Sequence, residues 1–307
     1  MITRDQIAAA HKRISPHVRR TPVLELDGAA LGLPHPVTLK LELQQHTGSF
    51  KPRGAFNNLL SREVPEAGVV AASGGNHGAA VGYAAACLGI PARIFVPSIA
   101  GATKISLVRG TGAILEVIEG HYGQAAAAAE ECREATGAMS IHPFDAPQTL
   151  AGQGTVGAEL DEQAPDLDIL LVAVGGGGLI GGIASWFDGR VRIVAVEPEN
   201  AATLATALRD GPESEIQPGG VAANSLGAPR IGQLAYGIAR AQGIEVVTVP
   251  DEAISQAQRL LWSSARVLAE PGGAAALAAL TSGRFTVPPG ARVGVVVCGG
   301  NIDPSPV

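Results

Sequence analysis

The chain is poor in aromatic residues, in cysteine and in unbroken hydrophobic runs, and each shortage removes a class of function. Aromatics are only 4% of the 307 residues, too few for the stacking platforms with which proteins hold single-stranded nucleic acid. The formal net charge is −6, and no basic stripe offers a phosphate backbone its usual footprint, so nucleic acid is not an expected partner. Hydrophobic residues reach 46%, yet no run attains the ~18 apolar residues that a membrane span requires. The longest, Ile169 to Gly182, is interrupted by glycine. No apolar segment follows a basic one behind Met-Ile-Thr-Arg-Asp-Gln, so the expectation is no signal peptide, no membrane partner and a cytoplasmic protein. Cys87, Cys132 and Cys298 are odd in number and form no CxxC pair. That argues against a disulfide framework and a zinc site, and suits a reducing compartment.

Glycine is what the chain has in excess: 40 residues, without collagen period or linker-like clustering. Glycines spread through ordered elements point to tight turns and to backbone that approaches a ligand closely. The length suggests two domains and is ample for a large core. Short β-branched runs alternate with alanine-rich helical stretches. Strands are expected at Val37–Leu43, Gly68–Ala72, Arg93–Val96, Ala113–Val117, Leu167–Val174, Arg192–Glu197, Glu245–Val249 and Arg292–Val297. Helices are expected near Pro52–Arg62, Asn76–Leu88, Thr103–Arg109, Tyr122–Thr136, Pro147–Glu162, Leu179–Phe187, Ala201–Arg209, Asp251–Val267 and Gly272–Leu280. Strands apolar on both faces and separated by helices imply βαβ units and a mainly parallel α/β sheet. No repeat or Pro/Ser-rich linker divides the chain, so the two domains are expected to be interleaved.

In such sheets ligands bind at the carboxyl ends of the strands, and four segments are placed to meet one. Ser49-Phe50-Lys51-Pro52-Arg53-Gly54 sets a single lysine between an aromatic and a helix-starting proline. Burial there would lower the lysine pKa, as a Schiff-base amine needs; the plain alternative is a solvated lysine beside a core phenylalanine. Ser73-Gly74-Gly75-Asn76-His77-Gly78 follows a strand and opens a helix, where free N–H groups attract a carboxylate or phosphate. A simple N-cap turn fits it equally well, and His77 reads either as a base or as a hydrogen-bonded structural residue. Gly175-Gly176-Gly177-Gly178 after the most hydrophobic strand lets several N–H groups converge on one phosphate. Gly176, Gly178 and Gly181 also satisfy GxGxxG, with Glu197 about 20 residues on, so a dinucleotide-binding dehydrogenase is a rival reading. Finally, Val293 to Val297 delivers Cys298-Gly299-Gly300-Asn301 to a strand end. That thiol is either an inert buried group or a weak donor to a cofactor nitrogen.

Together these segments, with Ala151-Gly152-Gln153-Gly154-Thr155 and Glu270-Pro271, resemble the fold-type II pyridoxal-phosphate enzymes. The resemblance is strongest to their serine/threonine dehydratase (ammonia-lyase) and serine racemase branch. The motifs occur in the family order from about Thr21 to Asp303, nearly the whole chain, which leaves the dehydrogenase reading little ground. The resemblance implies a two-domain, tryptophan synthase β-like α/β fold with parallel-rich sheets. Residues 68–144 would form a small domain inserted into a large one made of 1–67 and 145–307. It implies pyridoxal 5'-phosphate as cofactor, held covalently by the catalytic Lys51 with Phe50 packed against its ring. Asn76 would hydrogen-bond the 3-hydroxyl, Gly175, Gly176, Gly177, Gly178 and Leu179 would bind the phosphate, and Cys298 would face the ring nitrogen. Ser73, Asn76, His77 and Gly78 would cradle the carboxylate of a small amino-acid substrate. The implied reaction takes L-threonine, L-serine or a related β-hydroxy amino acid to a 2-oxo acid and ammonia, the departing hydroxyl being protonated through the cofactor phosphate. Racemisation of serine and β-replacement of the cysteine-synthase type share the fold and are the alternatives. Such enzymes are usually homodimers.

Departures from the racemase pattern favour the lyase. Gly74 stands where related racemases carry the serine that protonates the opposite face, and glycine cannot transfer a proton. A cation, divalent or monovalent, would have Glu197 and the Ala201 carbonyl as ligands, but the third ligand, an aspartate in the racemases, is Thr203. The substrate-side arginine of related racemases has no counterpart between Val117 and Glu131. The chain stops near Asp303, so the regulatory domain of biosynthetic threonine deaminases is not expected.

Overall fold

Residues 2–73, 75–120 and 122–302 are described in a computed structural model. In chain order the elements are α1 (Arg4–Ile14), β1 (Val23–Leu26), β2 (Val37–Lys40), α2 (Lys51–Ser61), β3 (Val69–Ala72), α3 (Asn76–Cys87), β4 (Ala92–Pro97), α4 (Ala102–Arg109), β5 (Ile114–Ile118), α5 (Tyr122–Thr136) and β6 (Met139–Ser140). They continue with α6 (Pro147–Gln163), β7 (Ile169–Ala173), α7 (Gly178–Phe187), β8 (Arg192–Pro198), α8 (Thr203–Asp210), α9 (Ala223–Leu226), α10 (Gln233–Gln242), β9 (Glu245–Val249), α11 (Asp251–Ala265), α12 (Pro271–Thr281) and β10 (Val293–Val296). They build two sheets, one ordered β1-β2-β10-β7-β8-β9 and one ordered β5-β4-β3-β6. Every pairing is parallel except β1 with β2. The four-stranded sheet takes all its strands from one stretch, Val69 to Ser140, whereas the six-stranded sheet uses strands from either side of that stretch.

The central strands of the larger sheet are covered on both faces, and β7 is buried at every position. This is the setting in which parallel strands read as continuous apolar runs rather than alternating ones. The helix α6 is buried from Thr149 to Leu160, with glycines where other backbones press on it. A Cβ on Gly152 would lie 2.5 Å from the Arg53 carbonyl oxygen, and one on Gly182 of α7 would lie 2.4 Å from that of Leu150. The close α2–α6–α7 stack fixes the starts of α2 and α7 relative to each other, and both starts carry site residues.

Beneath α2 lies a closed group of charges. Arg53, fully buried, donates to both oxygens of Glu42 at 2.8 Å and to Glu159 at 2.8 and 2.9 Å. Lys40, equally buried, donates to Glu159, Gln163 and the Thr21 carbonyl at 2.8–2.9 Å. Every charge has an opposite partner and further hydrogen bonds, the condition under which buried ions are tolerated.

Several elements differ from expectation. The helix α1 was not expected from hydrophobic pattern, although Thr3 and Gln6 form a full capping box. The strands β1 and β6 and the helices α9 and α10 were also not expected; β6 has two residues and α9 four, too short for a periodicity. The strand expected to Leu43 stops at Lys40, where the chain turns through a 3₁₀ segment at Glu42–Gln44 and Glu42 enters the buried charge group. The helix expected from Ala201 begins at Thr203, because Glu199–Ala201 forms a separate 3₁₀ turn. No helix among the described residues is long and apolar enough to cross a membrane.

Candidate active site

The carboxyl ends of β3, β7 and β10 open onto one cavity of about 490 Å³, lined by Lys51, Ser73, Asn76, His77, Gly175–Leu179 and Cys298 among others. The segments singled out in the sequence thus converge, although they are spread over most of the chain.

Lys51 is the first residue of α2, where Pro52 fits because its missing N–H would have no helical acceptor. The approach to it is pinned to the end of β10. Ser49 bridges to Gly299, the Phe50 N–H donates to the Cys298 carbonyl at 3.2 Å, and the Gly300 N–H donates to Gly48 at 2.9 Å. The amine donates to the Pro143 carbonyl at 2.9 Å and lies 5.0 Å from the centre of the Phe50 ring. The side chain keeps partial exposure through the cavity, but burial of the amine lowers its pKa to about 8 against the opposing pull of Cys298 and Glu270. A larger share of nucleophilic free amine at neutral pH follows.

Asn76 begins α3, and its amide orientation is set on both sides. Its oxygen accepts from Asn301 at 2.8 Å, and its nitrogen donates to Glu270 at 2.5 Å. One amide hydrogen of Asn76 remains for a ligand. Burial pushes Glu270 up to about 7, opposed chiefly by the Asn76 hydrogen bond. Cys298 is buried, donates weakly to the Gly272 carbonyl at 3.3 Å, and has its thiol raised to about 12, first by burial and then by Glu270. It is therefore a neutral thiol, not a thiolate.

His77 is not a base. Its Nε2 donates to the Ile141 carbonyl at 2.8 Å, and burial, with Lys51 adding to it, depresses the ring to about 3. Ser73 accepts the Gly75 N–H on its hydroxyl at 3.2 Å. Gly78 lies in the first turn of α3 rather than on the cavity wall; a Cβ there would sit 2.2 Å from the Ser73 carbonyl oxygen. Gly74 lies outside the described residues.

The four glycines after β7 form a cradle that side chains would fill. Gly177 has φ +89°, a conformation that favours glycine. A Cβ on Gly176 would meet the Phe144 ring at 2.2 Å, and one on Gly177 would meet Ala235 at 2.4 Å. The helix α7 starts at Gly178, so its first N–H groups have no intrahelical acceptor and face the cavity end with positive dipole. Those are the requirements of a phosphate seat.

Glu197 is engaged at the start of α8. Its two oxygens accept the backbone N–H groups of Leu204 at 2.6 Å and Ala205 at 2.8 Å. Burial raises its carboxyl to about 7 against these and the Thr203 N–H. It caps the start of α8. Thr203 is engaged with the Ala228 carbonyl at 2.8 Å, and no group of three His, Cys, Asp or Glu suited to a metal occurs among the described residues.

Sequence reasoning passed over several residues that the structure brings in. Glu270 and Asn301 stood inside quoted motifs without a role, and their role is visible only as partners of Asn76. His142, Pro143 and Phe144 gave no signal, since a His-Pro-Phe triplet has no pattern of its own. Lys104, which lines the cavity and donates to the Asn224 carbonyl at 2.7 Å, looked like any helix lysine.

The fold and the site define a pyridoxal-phosphate-dependent enzyme: the profile of the family described as "Pyridoxal-phosphate dependent enzyme" matches residues 14–299, and the chain belongs to that family. It is 37% identical to an L-threonine ammonia-lyase of Thermotoga maritima over 99% of this chain and 76% of that one. It is 35% identical to a serine racemase of Oryza sativa over 97% of this chain and 90% of that one. A solved structure of a threonine deaminase from T.th. superposes with a TM-score of 0.91 at 34% identity, covering 99% of this chain and 100% of that one. The glycine cradle, the lysine with a lowered pKa and the neutral buried thiol fit the cofactor's phosphate, aldehyde and ring nitrogen in turn. With Glu197 committed to α8, addition or chelation of divalent cations is expected to leave the rate unchanged; activity regained on adding Mg²⁺ to a chelated sample would show an ion site elsewhere.

Proposed function

We propose that this enzyme is an ammonia-lyase that removes water and ammonia from a small β-hydroxy amino acid of the L-threonine or L-serine type. The observation that carries this reading is the convergence of Lys51, the Gly175–Leu179 cradle and Cys298 on one cavity, where burial lowers the Lys51 amine and keeps the Cys298 thiol neutral. Lys51 would hold the cofactor covalently, the Gly175–Leu179 backbone would bind its phosphate, and Asn76 would donate to its 3-hydroxyl. When bound, the cofactor supplies a conjugated ring that takes up the charge left when Cα loses its proton. Lys51, released when substrate is taken up, is positioned to remove that proton. The first turn of α3, with Ser73 and Asn76 beside it, offers N–H groups to the substrate carboxylate; His77 and Gly78 contribute by position and backbone, His77's ring being committed to Ile141. Cys298, neutral and a poor acid, would leave the ring nitrogen unprotonated, which favours expulsion of the β-group over longer-lived carbanion chemistry.

Residues 68–144 are taken as a small domain inserted between the two parts of the large one, 1–67 and 145–307, so that the cavity lies in the cleft between their sheets. Closure of that cleft over substrate would exclude water. Against a racemase stands Gly74, which in the sequence offers no side chain to reprotonate the opposite face.

The test is direct. Purified enzyme with pyridoxal phosphate is expected to release equal amounts of 2-oxo acid and ammonia from L-threonine or L-serine without added sulfide. Formation of D-serine as the main product would establish the racemase instead. Turnover only when an external nucleophile is added would establish β-replacement.

A further inference from the structure

The turn from His142 to Asp145 puts three residues, His142, Pro143 and Phe144, on the cavity wall, and three of its four residues have evident tasks. The Pro143 carbonyl holds the Lys51 amine. The Phe144 ring occupies the space above Gly176. Asp145 accepts the N–H groups of Gln233 and Leu234, opening α10, at 3.0 Å each. His142 has no evident task, yet the residue lines the cavity, and its hydrogen bonds set the state of its ring. Its Nδ1 accepts the backbone N–H of Asp145 at 2.7 Å and that of Phe144 at 3.3 Å. A ring nitrogen that accepts two N–H groups carries no hydrogen of its own, so the hydrogen is on Nε2 and the ring is neutral. The ring packs edge-on against Phe144, 4.8 Å between centres at 86°, and the His142 carbonyl accepts from Thr149 at 3.0 Å. Nε2 has no acceptor among the described residues. The residue is partly exposed to solvent, and such desolvation as the ring undergoes lowers its pKa, with Asp145 opposing and Lys51 adding to the effect.

Of the other donors around the cavity, one Asn76 amide hydrogen is reserved for the cofactor, the Ser73 hydroxyl stands beside the carboxylate seat, Asn224 is exposed, and the rest are engaged or half exposed. Lys104 is on the Asn224 carbonyl, and Arg230 is paired with Glu213 and Glu215. Ser225 donates to Ala222 and accepts from Gly272, and Tyr122 is half exposed on a freely turning hydroxyl. A small hydroxy amino acid brings three polar groups. Its amine is exchanged at Lys51, its carboxylate meets the first turn of α3, and its β-hydroxyl, which the family resemblance has protonated through the cofactor phosphate, can accept a second hydrogen bond from the protein. We propose that His142 presents Nε2–H as a fixed, neutral hydrogen-bond donor to the β-hydroxyl, and so reads the leaving group of the substrate. The inference rests on the lyase reading. No proton passes through His142: giving up the Nε2 hydrogen would make an imidazolate, so the ring only stabilises charge as the Cβ–O bond breaks.

The experiment compares kcat/KM for L-threonine and for β-chloro-L-alanine, whose chloride leaves without a hydrogen bond, in wild type and His142→Phe holoenzyme. The expected result is a fall of about 10- to 100-fold with L-threonine, the scale of one lost donor to a developing charge, with β-chloro-L-alanine scarcely affected. His142→Gln, which restores a side-chain N–H, should recover part of the loss. Equal losses on both substrates, or none on either, overturn the proposal. His142→Ala provides the same comparison if the phenylalanine disturbs the cofactor's absorbance. Failure of the wild type to eliminate from either substrate would instead overturn the lyase reading.

Discussion

Replacing Lys51 by alanine is expected to remove the covalently bound cofactor's absorbance band and to lower elimination by on the order of 10³-fold or more, since one group serves as anchor and as base. The protein should remain folded. The Lys51 side chain ends on a carbonyl rather than in the apolar core, and α2 keeps its proline start and its buried face without it. Loss of activity with an unchanged unfolding midpoint is therefore the informative outcome; retention of the band would remove Lys51 from its role. The same amine sets a pH dependence. Burial moves it from 10.5 to about 8, so its nucleophilic free form grows as pH rises through about 8. Uptake of pyridoxal phosphate by cofactor-free protein should accelerate with pH with a midpoint there. A midpoint near 10 would mean that the amine is solvated.

Replacing Arg53 by methionine is expected to damage stability most. Its guanidinium is the shared partner of Glu42 and Glu159, all three being buried, and removing one member of such a group typically costs about 3–5 kcal/mol because the remaining charges are left without compensation. Lys40 would still neutralise Glu159 at 2.8 Å, so Glu42 bears most of the loss. Urea unfolding of the single variant and of Arg53→Met with Glu42→Gln should show partial recovery in the double variant. A single variant as stable as wild type would mean that water enters the group and relieves it. Because Arg53 lies two residues from Lys51 in the first turn of α2, the single variant should also bind cofactor less tightly.

Much of the site was legible in the sequence because its chemistry needs unusual local residues. Four consecutive glycines, a lysine before a proline and an Asn-His pair after a strand each have few structural explanations, and all three line one cavity. What was not legible depends on partners far away in the chain. Glu197 ends a strand at the spacing of a ribose-binding acid, yet its oxygens go to the N–H groups of α8. His77 read equally as a base or as a hydrogen-bonded structural residue, and only the distant Ile141 carbonyl on its ring favours the second. The fold was readable where helices and strands were long and strongly patterned, as in α5 and β9. It was unreadable in β1 and β6, which exist because a neighbouring strand offers an edge.

The position of β10 has a consequence for how the molecule is made. It lies between β2 and β7, pairing Val293 with Val37 on one side and with Ile169 on the other. During synthesis β2 leaves the ribosome long before the strand that joins it to the rest of its sheet. The β1–β2 ribbon must wait with an open edge until the final residues emerge, whereas the Val69–Ser140 sheet has all its strands in hand early. Contacts between such distant segments are slow to form. The Lys51 segment is moored to the end of β10, so it gains that anchor only when the chain is nearly complete. A nascent chain cut short before Val293 would have its glycine cradle and the α2–α6–α7 stack, but not the β10 end that moors the segment leading into Lys51.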